Sequence, residues 1–345
     1  MQERIPNIII TDGVNQDTLQ DLYAFYDEWT NDKDQISVQT SGSTGASKTV
    51  FLDKEKVKAS AKATGAFFDF EAGEKVVLCL STKHIAGKLM VVRALLHNMA
   101  IIVLPTARNP LLSLENSGSV KNEIIHFAAF VPYQVEAILE NPITRNLYQK
   151  IYRVIIGGAP INSGLEKDLL ELDNQNFATF GMTETITHFA LRNLNHQDAT
   201  YACLPGFEIE MDERGCLVIK ENQITDRLVT NDLIRLIDAS HFEWLGRADF
   251  VVNSAGYKIS PEQIERKIAA KFNNRAYFLF GVPDSKWGQS LILFIEGPTS
   301  EEFIFSKEQW ISVGLTNYQM PKETYFVRQF DRTATDKIIR KDYRD

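Results

Sequence analysis

Small residues that end in a single lysine form the first segment of this sequence with clear chemical potential. The nine consecutive residues are Thr40, Ser41, Gly42, Ser43, Thr44, Gly45, Ala46, Ser47 and Lys48. Glycine allows tight turns and a close approach of the backbone to a ligand, while backbone N–H groups and hydroxyls donate hydrogen bonds to anionic oxygens. The segment is therefore predicted to be a phosphate-binding loop.

The same segment almost matches the Walker A pattern. Gly42, Lys48 and Thr49 fit that pattern, but Ser47 stands where it has a second glycine. A Walker A lysine opens a helix, whereas the residues after Lys48 are β-branched or aromatic and predict a strand. We therefore expect a hairpin of strand, loop and strand, and the alternative is a Ser/Gly-rich surface turn without a ligand.

The overall charge limits the kinds of partner that this chain can bind. It has 345 residues, 44% of them hydrophobic, and a formal net charge of -8. Binding to a nucleic-acid backbone needs a concentrated basic face, so a nucleic-acid partner is not expected. A small anionic nucleotide would be held locally, by loops, single basic residues and a metal ion.

Cysteine usage and the N-terminal sequence point to a cytoplasmic protein. Cys79, Cys203 and Cys216 are far apart and form no CxxC pair, so neither a zinc site nor a redox pair is expected. The N-terminus lacks a basic region followed by an apolar stretch, and no apolar run approaches about 18 residues. No membrane span is predicted, and a homo-oligomer is compatible with the sequence.

The elements that must position the loop follow from hydrophobic spacing. Leu19, Leu22, Phe25, Tyr26 and Trp29 predict an amphipathic helix with Asp17 as its cap. Helices are then predicted at 54–68, 87–97 and 132–139, and strands at 75–80, 100–104, 124–129 and 153–156. This alternation predicts a helix-covered parallel sheet.

The pattern of predicted elements changes after about Tyr201. Short segments at 207–211, 216–220 and 233–237 predict a small antiparallel β subdomain, and strands and helices resume after residues 246–256. The predicted fold class is α/β: a large N-terminal domain of helix-covered sheets with that subdomain, residues 1–248, followed by a small α+β C-terminal domain, residues 249–345.

Four further segments join the phosphate loop in a fixed order. They are Gly157-Gly158-Ala159-Pro160; Phe180-Gly181-Met182-Thr183-Glu184-Thr185; Val229-Thr230-Asn231-Asp232-Leu233 with Gly246-Arg247-Ala248-Asp249; and Arg332-Thr333-Ala334-Thr335-Asp336-Lys337-Ile338. Together with the loop, in this order across almost the whole chain, they resemble the motifs of the adenylate-forming acyl-CoA synthetases.

The resemblance implies a two-step reaction that uses ATP, Mg²⁺ and coenzyme A. A carboxylate attacks the α-phosphate of ATP to give an acyl-adenylate and pyrophosphate, and the thiol of coenzyme A then displaces AMP. Because charge accumulates on the α-phosphate oxygens, Thr183, Lys337 and the metal ion would serve as preorganised counter-charges. Glu184 is the expected metal ligand, since Mg²⁺ prefers oxygen donors; the alternatives are a helix N-terminal acid for Glu184 and a solvated tail for Lys337.

The resemblance also assigns the remaining nucleotide contacts, according to the position of each residue in the family's motifs. Asp232 matches the ribose-binding aspartate, Arg247 the arginine near the nucleotide, and Gly157, Gly158 and Ala159 the segment that packs on adenine. A surface salt bridge and a tight turn are the alternatives. The family's C-terminal domain is mobile: Asp249 lies at the hinge position, Lys337 serves the first step, and the loop with Lys258 helps to build the thioester-forming site.

The chain departs from the family pattern at several positions. Asn231 replaces a glycine, and Asn is the residue that best tolerates a left-handed backbone after glycine. Asp336 stands before Lys337, and Phe250 stands where a second aspartate is expected. Because the phosphate loop begins near residue 40, the N-terminal subdomain is expected to be shortened, and the acyl pocket to be either more open or completed differently.

Residues 83–88 and 130–134 resemble those of the o-succinylbenzoate–CoA ligases of menaquinone biosynthesis, a branch of the family. That acid carries a second carboxylate, so its pocket needs a cation or several hydrogen-bond donors. His84, Lys88, His188 and Arg192 are the candidates. A core histidine and solvated helix faces are the alternatives.

Two other functions stay open at this point. An adenylation enzyme could load an aryl or fatty acid onto coenzyme A or onto the phosphopantetheine arm of a carrier protein. A nucleotide-binding pseudoenzyme would bind ATP without turnover; Glu184 and Lys337 argue against it, and Asp336 leaves it open.

Overall fold

The computed structural model describes residues 5, 7–41, 47–117, 120, 123–272, 275–332 and 338–344. The chain forms two compact units. The first comprises residues 1–161, 168–208 and 219–228, and the second residues 162–167, 209–218 and 229–345. The predicted division of the sequence into domains at 248/249 is not decided by these units and stays a prediction.

The α-helices of the described residues are α1 Gln16–Thr30, α2 Lys54–Phe68, α3 Ile85–Leu96, α4 Leu112–Asn116, α5 Pro132–Glu140, α6 Pro142–Gln149, α7 Ser163–Leu170, α8 Pro261–Ile268 and α9 Lys307–Ser312. The strands are β1 Ile8–Ile10, β2 Gln35–Ser41, β3 Ser47–Asp53, β4 Lys75–Leu78, β5 Ala100–Val103, β6 Phe127–Phe130, β7 Arg153–Ile156, β8 Gln175–Gly181, β9 His188–Asn193, β10 Thr200–Cys203, β11 Ile209–Met211, β12 Cys216–Ile219, β13 Leu228–Leu236, β14 His241–Arg247, β15 Val252–Ser254, β16 Tyr257–Ile259, β17 Tyr277–Asp284, β18 Gly288–Glu296 and β19 Glu323–Val327. Short 3-10 turns lie at Thr183–Thr185, Ala248–Phe250, Ala269–Lys271 and Glu301–Phe303.

A largely parallel sheet organises the first unit. Its strands follow the order β1-β5-β4-β6-β7-β8-β9-β10. The pairs from β1 to β8 are parallel, and β9 and β10 continue the sheet in antiparallel pairing. Strands β4 to β7 are almost wholly apolar and buried, as expected for a parallel sheet covered on both faces. The predicted helix-covered parallel sheet is confirmed, and the three-residue strand β1 was missed.

The helix boundaries in the structure agree with the predicted ones where a capping residue marks the start of the helix. Helix α2 has the predicted bounds, and the Asp53 side chain accepts from the N–H groups of Glu55 and Lys56. Helix α1 is capped by Asn15 rather than by Asp17, which lies in its first turn. Helix α3 begins at Ile85, two residues before the predicted start at Gly87, where a Cβ would lie 2.3 Å from the Ser81 carbonyl oxygen. The glycine permits this close approach.

The second unit contains two β structures. Strands β11 to β14 follow the order β14-β13-β12-β11, and β13 pairs antiparallel with β14. Strands β15 to β19 form a separate sheet in which β18 lies between β15 and β17 and also pairs with β19. A buried cluster that includes Val252, Ile264, Leu293 and Trp310 packs on this sheet. No helix in the described part of the chain is long and apolar enough to cross a membrane.

Candidate active site

The segment predicted to bind phosphate follows β2 and leads into β3, and these two strands form the predicted hairpin. Strands β2 and β3 pair antiparallel from Gln35 and Asp53 to Ser41 and Ser47, and Thr40 pairs with Lys48. Gly42, Ser43, Thr44 and Gly45 lie outside the described residues. The hairpin is fixed to the segment before α3, because Gln39 N donates to Lys83 O at 3.2 Å and its carbonyl oxygen lies 3.2 Å from His84 Nδ1.

The adenine-contact candidates follow strand β7 directly. Gly157 N donates to the Phe130 carbonyl oxygen at 3.1 Å, and a Cβ on Gly157 would lie 2.0 Å from Thr179 Oγ1 on β8. Gly158 has a φ of +86°, a conformation that favours glycine. This backbone, followed by Ala159, therefore lies at the carboxyl edge of the parallel sheet, where α/β folds bind ligands.

The next strand of the sheet, β8, leads directly into the second motif. Gly181 ends β8, and a Cβ there would lie 2.4 Å from the Cα of His188. Thr183 and Glu184 are exposed in the turn that follows. Since β7 and β8 are parallel neighbours, the structure brings residues 157–159 and 181–184 to the same sheet edge.

A buried threonine holds this turn. Thr185 Oγ1 accepts from Met182 N at 3.1 Å and lies 3.0 Å from Met182 O and 2.6 Å from Thr187 O. Ile186 follows with a φ of +66°, which is a strained conformation for a β-branched residue. Such strain persists only where the surroundings impose it, so the turn that presents Thr183 and Glu184 has a well-defined backbone.

Magnesium fits this edge only together with a substrate. No group of three His, Cys, Asp or Glu side chains that could hold a metal occurs among the described residues. Mg²⁺ is commonly bound through one or two carboxylates, with phosphates and water completing its shell. Exposed Glu184 can supply one such carboxylate.

The ribose candidate lies in the second unit. Asp232 on β13 faces Arg247 on β14, and its Oδ1 accepts from Trp244 Nε1 at 2.9 Å. Burial raises the pKa of Asp232, and the Trp244 hydrogen bond and the Arg247 charge offset this only in part. Arg247 also pairs with Asp249 at 2.6 Å. The alternative of a surface salt bridge therefore describes the contact between Arg247 and Asp249. It does not describe Asp232, whose carboxylate is buried.

Asn231 corrects one sequence-based explanation. It lies inside strand β13 and is not among the residues with a positive φ, so a left-handed backbone is not why Asn stands here. Its side chain instead accepts from Arg214 Nη1 at 3.0 Å and donates to Asp249 Oδ1 at 3.0 Å. The amide links strand β13 to the position expected for the hinge.

Two lysines of the C-terminal part, Lys258 and Lys337, are predicted to act in the reaction, and the structure describes the first of them. Lys258 is exposed on β16, where it pairs with Asn253 of β15. Lys337 lies outside the described residues. Its neighbour Ile338 forms an antiparallel bridge with Arg332, and Arg332 forms an ion pair with Glu296 at 2.5 Å.

Lys88, a predicted acid-binding residue, is buried and paired. Its Nζ lies 2.6 Å from Glu28 Oε2 and 4.4 Å from the centre of the Phe25 ring. Glu28 Oε1 also accepts from the backbone N and Oγ of Ser37, both at 2.7 Å. Burial raises the pKa of Glu28, but these hydrogen bonds outweigh it and leave the pKa below its ordinary value. The alternative of a solvated helix face does not describe Lys88.

The other predicted acid-binding residues occupy three different settings. His84 is exposed at the N-terminus of α3. Arg192 is partly buried on β9, with its guanidinium 5.7 Å from the centre of the Tyr201 ring. His188 at the start of β9 is buried, and its Nε2 lies 3.3 Å from Thr64 Oγ1 of α2. Of the four, His188 is the one that pairs with Gly181, the residue that ends β8 just before the Thr183–Thr185 turn.

Sequence reasoning missed Arg93, which shares Thr64 with His188. Arg93 on α3 is 2% exposed, its Nη2 donates to Thr64 Oγ1 at 3.3 Å, and its Nη1 lies 3.7 Å from Met90 Sδ. Nε has no hydrogen-bond partner, and no carboxylate pairs with this guanidinium among the described residues. Burial lowers the pKa of Arg93 to about 9, so it stays charged at neutral pH.

This cluster is neutral apart from the guanidinium. Burial, and then the Arg93 charge, hold the pKa of His188 well below its ordinary value, so the imidazole is uncharged at neutral pH. Buried charges are normally paired, because an uncompensated one is costly. A single arginine in the apolar run from Leu89 to Leu96 was the signal that could have identified the cluster.

Comparison with known proteins identifies the family. The model of the family described as AMP-binding enzyme matches residues 15–218. The chain belongs to this family. The resemblance inferred from the motifs is thereby confirmed, as is the α/β fold class.

Individual relatives agree with this assignment. The chain is 25% identical to the 2-succinylbenzoate–CoA ligase of Lactococcus lactis subsp. lactis, over 97% of this chain and 79% of that protein. An acyl-CoA synthetase (AMP-forming)/AMP-acid ligase II-like protein from Dyadobacter fermentans is 34% identical, with a TM-score of 0.65 over 94% of this chain and 93% of that one. The o-succinylbenzoate CoA synthetase of Bacillus subtilis, solved with its acyl-adenylate, shares the fold at 18% identity, with a TM-score of 0.74 over 90% of this chain and 68% of that one.

Proposed function

We propose that this chain is an acid–CoA ligase that converts o-succinylbenzoate to o-succinylbenzoyl-CoA through an acyl-adenylate, in menaquinone biosynthesis in the cytoplasm. The observation that carries the proposal is the meeting of residues 157–159 and 181–184 at the carboxyl edge of β7 and β8. Two motifs that lie more than 20 residues apart thus reach one edge in a member of the AMP-binding family.

The residues have distinct tasks in this proposal. The hairpin loop of residues 40–48 holds the phosphates, the 157–159 backbone takes the adenine, and Asp232 and Arg247 take the ribose side. Thr183 donates to the α-phosphate oxygens, and Lys337 supplies positive charge there as the carboxylate attacks. A magnesium ion held by Glu184 and by phosphate oxygens would neutralise further negative charge. A mobile domain from residue 249 would bring Lys337 for the first step and Lys258 for the second.

The acid is proposed from the buried cluster of Arg93, Thr64 and His188. A guanidinium without a carboxylate partner is suited to a carboxylate of the ligand, because charge-assisted and bidentate hydrogen bonds are the strong ones. A neutral His188 can donate a hydrogen bond without adding charge. His84 and Arg192 remain proposed contacts. Lys88 is also kept, although Glu28 engages its ammonium group.

Pyrophosphate release tests the function. The protein is assayed with ATP, Mg²⁺ and a panel of carboxylic acids led by o-succinylbenzoate, with and without coenzyme A. Lys337→Ala is compared with Lys341→Ala, a lysine of the same tail that pairs with Asp331 at the surface. We expect release that depends on o-succinylbenzoate, ends in a thioester when coenzyme A is present, and is lost only in Lys337→Ala.

The alternatives give different results in the same assay. ATP binding without release for any acid would contradict the proposal and favour a nucleotide-binding pseudoenzyme. Release without a coenzyme A thioester would favour loading of a carrier protein. Release with another aryl or fatty acid, but not with o-succinylbenzoate, would overturn the assignment of the acid alone.

A further inference from the structure

Two side chains of strand β14 flank the ribose candidate Asp232, although their spacing predicts opposite faces. Trp244 and Arg247 are three residues apart, and side chains alternate between the two faces of a regular strand. In the structure, Arg247 pairs with Asp232 and Trp244 pairs with Ile234. Residues directly opposite each other in an antiparallel pair lie on one face, and so do Asp232 and Ile234, which are two residues apart. Both side chains therefore lie on the face of Asp232.

A β-bulge at Leu245 causes this change of face. The register of β13 and β14 shifts between Leu233 and Ile234, so Leu245 is the additional residue of β14. Gly246 follows with a φ of +136°, and a Cβ there would lie 2.5 Å from Ser260 Oγ. Any other residue at this position would therefore be strained and crowded. Bulges next to functional sites commonly re-aim a side chain, which is the effect seen here on Trp244.

Helix α8 fixes both the bulge and the indole ring. Its N-cap residue, Ser260, donates from Oγ to the Leu245 carbonyl oxygen at 2.8 Å. Arg266 of the same helix donates from Nη1 to the Trp244 carbonyl oxygen at 2.7 Å, and its guanidinium carbon lies 4.8 Å from the centre of the Trp244 ring. A cation at this distance from an indole ring is attracted to it. The position of Trp244 is therefore set by α8 as well as by its own strand.

The indole engages one oxygen of the Asp232 carboxylate. Trp244 Nε1 donates to Oδ1 at 2.9 Å, whereas Oδ2 lies 3.9 Å from Arg247 Nη1, beyond hydrogen-bond distance. The Asp232 side chain is 12% exposed, so part of it can be reached by a ligand. Because an indole N–H is a donor only, it orients the carboxylate without offering a ligand hydroxyl another acceptor. Oδ2 can therefore accept from a hydroxyl of the ligand.

We propose that Trp244 is a positioning residue for nucleotide binding, which holds the Asp232 carboxylate so that Oδ2 accepts from a ribose hydroxyl of ATP. Asp232 contacts the ribose, and Trp244 acts through Asp232. The inference rests on the proposed function for the role of Asp232. It adds a residue that lies outside the motifs that carry the family resemblance.

Trp244→Phe tests this role, because it keeps an aromatic ring on β14 and removes the N–H donor. Pyrophosphate release is measured with ATP and with 2′,3′-dideoxy-ATP, which lacks both ribose hydroxyls. Loss of a hydrogen bond to a charged group corresponds to about tenfold in affinity, so we expect the KM for ATP to rise about tenfold at an unchanged kcat. The value of kcat/KM for dideoxy-ATP should not change, because that nucleotide has no hydroxyl for Asp232 to bind.

Two further variants show whether Trp244 acts through Asp232. Asp232→Asn keeps the shape of the side chain and removes its charge, so the KM for ATP should rise in this variant as well. Because residues in contact are not additive, adding Trp244→Phe to Asp232→Asn should cause no further rise. Trp287→Phe replaces another partly buried tryptophan of the second unit and should leave the values for both nucleotides unchanged.

Two results would overturn the role of Trp244. One is a KM for ATP in Trp244→Phe within about twofold of wild type, and the other is an equal loss with ATP and dideoxy-ATP, which would indicate a structural role. If the wild type releases no pyrophosphate with any acid, the proposed function fails separately, and both nucleotides are then titrated calorimetrically. Binding in Trp244→Phe that weakens about tenfold for ATP alone would support the inference. Equal weakening for both nucleotides, or no binding of ATP by the wild type, would overturn it.

Discussion

Helix α3 carries two buried cations whose surroundings differ in one respect. Lys88 is 4% exposed and has a carboxylate partner, Glu28, at 2.6 Å. Arg93 is 2% exposed, and its partners among the described residues are a threonine hydroxyl and a thioether. The first cation completes a contact within the protein, linking α3 to α1 and, through Ser37, to the β2–β3 hairpin. The second has an Nε without a hydrogen-bond partner in the described part of the chain, and the proposed acid contact would use this group.

The difference shows why burial alone does not identify a binding residue. Residues kept for a ligand are commonly poor for stability, because their partner is absent from the folded chain. On this basis, removal of Lys88 should reduce stability, whereas removal of the Arg93 charge should not. The four predictions that follow test that contrast.

The largest effect is expected for Lys88→Met. Breaking a buried pair leaves the other charge uncompensated, so we expect the free energy of unfolding to fall by about 3 kcal/mol. Urea denaturation measures it. Adding Glu28→Gln to this variant should recover much of the loss. Lys83→Met, which removes a more exposed partner of Asp21, should cost less than about 1 kcal/mol, and an equal loss in the two lysine variants would break the contrast.

Arg93→Met should have the opposite sign. Replacing buried ionic groups by apolar ones of similar volume is often neutral or stabilising, so we expect the free energy of unfolding to rise by about 1 kcal/mol. The same denaturation experiment measures it. A loss of about 3 kcal/mol would show that Arg93 is as structural as Lys88.

His188 should make stability depend on pH. Its pKa is held below the unfolded value of about 6.5, so the unfolded chain binds more protons once the pH falls below that value. Stability is therefore full above about pH 6.5 and should fall by about 1 kcal/mol from pH 6.5 to 5.5. His188→Gln should lack this component, while the exposed His196→Gln should retain it. Identical slopes in all three proteins would contradict a buried neutral imidazole.

An effect of similar size is expected for Thr64→Val. The variant keeps the side-chain shape but removes the hydroxyl that Arg93 and His188 share, which should cost about 1 kcal/mol of unfolding free energy. Thr64→Ser keeps the hydroxyl and should therefore retain the unfolding free energy that Thr64→Val loses. If serine and valine behave alike, the hydroxyl does not connect the two residues.

The sequence predicted those features whose cause is local. The alternation of predicted strands and helices indicated the parallel sheet, and the β-branched and aromatic residues after Lys48 indicated the hairpin. The order of the motifs gave the family. Strand β1 was missed because its three residues are too few to show a period.

The roles of the cations could not be predicted in the same way. Lys88 was grouped with solvated or acid-binding residues because its partner, Glu28, lies 60 residues earlier in the chain. Arg93 was overlooked because hydrophobic periodicity explained its neighbours. Both depend on how α1, α2 and α3 pack, which single-sequence patterns do not specify.

Acid selectivity tests the central claim most directly. The value of kcat/KM for pyrophosphate release is measured with o-succinylbenzoate and with 4-oxo-4-phenylbutanoate, which has the same skeleton without the ring carboxylate. We expect the wild type to prefer o-succinylbenzoate, and Arg93→Met to lose about hundredfold on that acid alone, since a buried charge-assisted contact is removed. An unchanged preference in Arg93→Met would contradict the account.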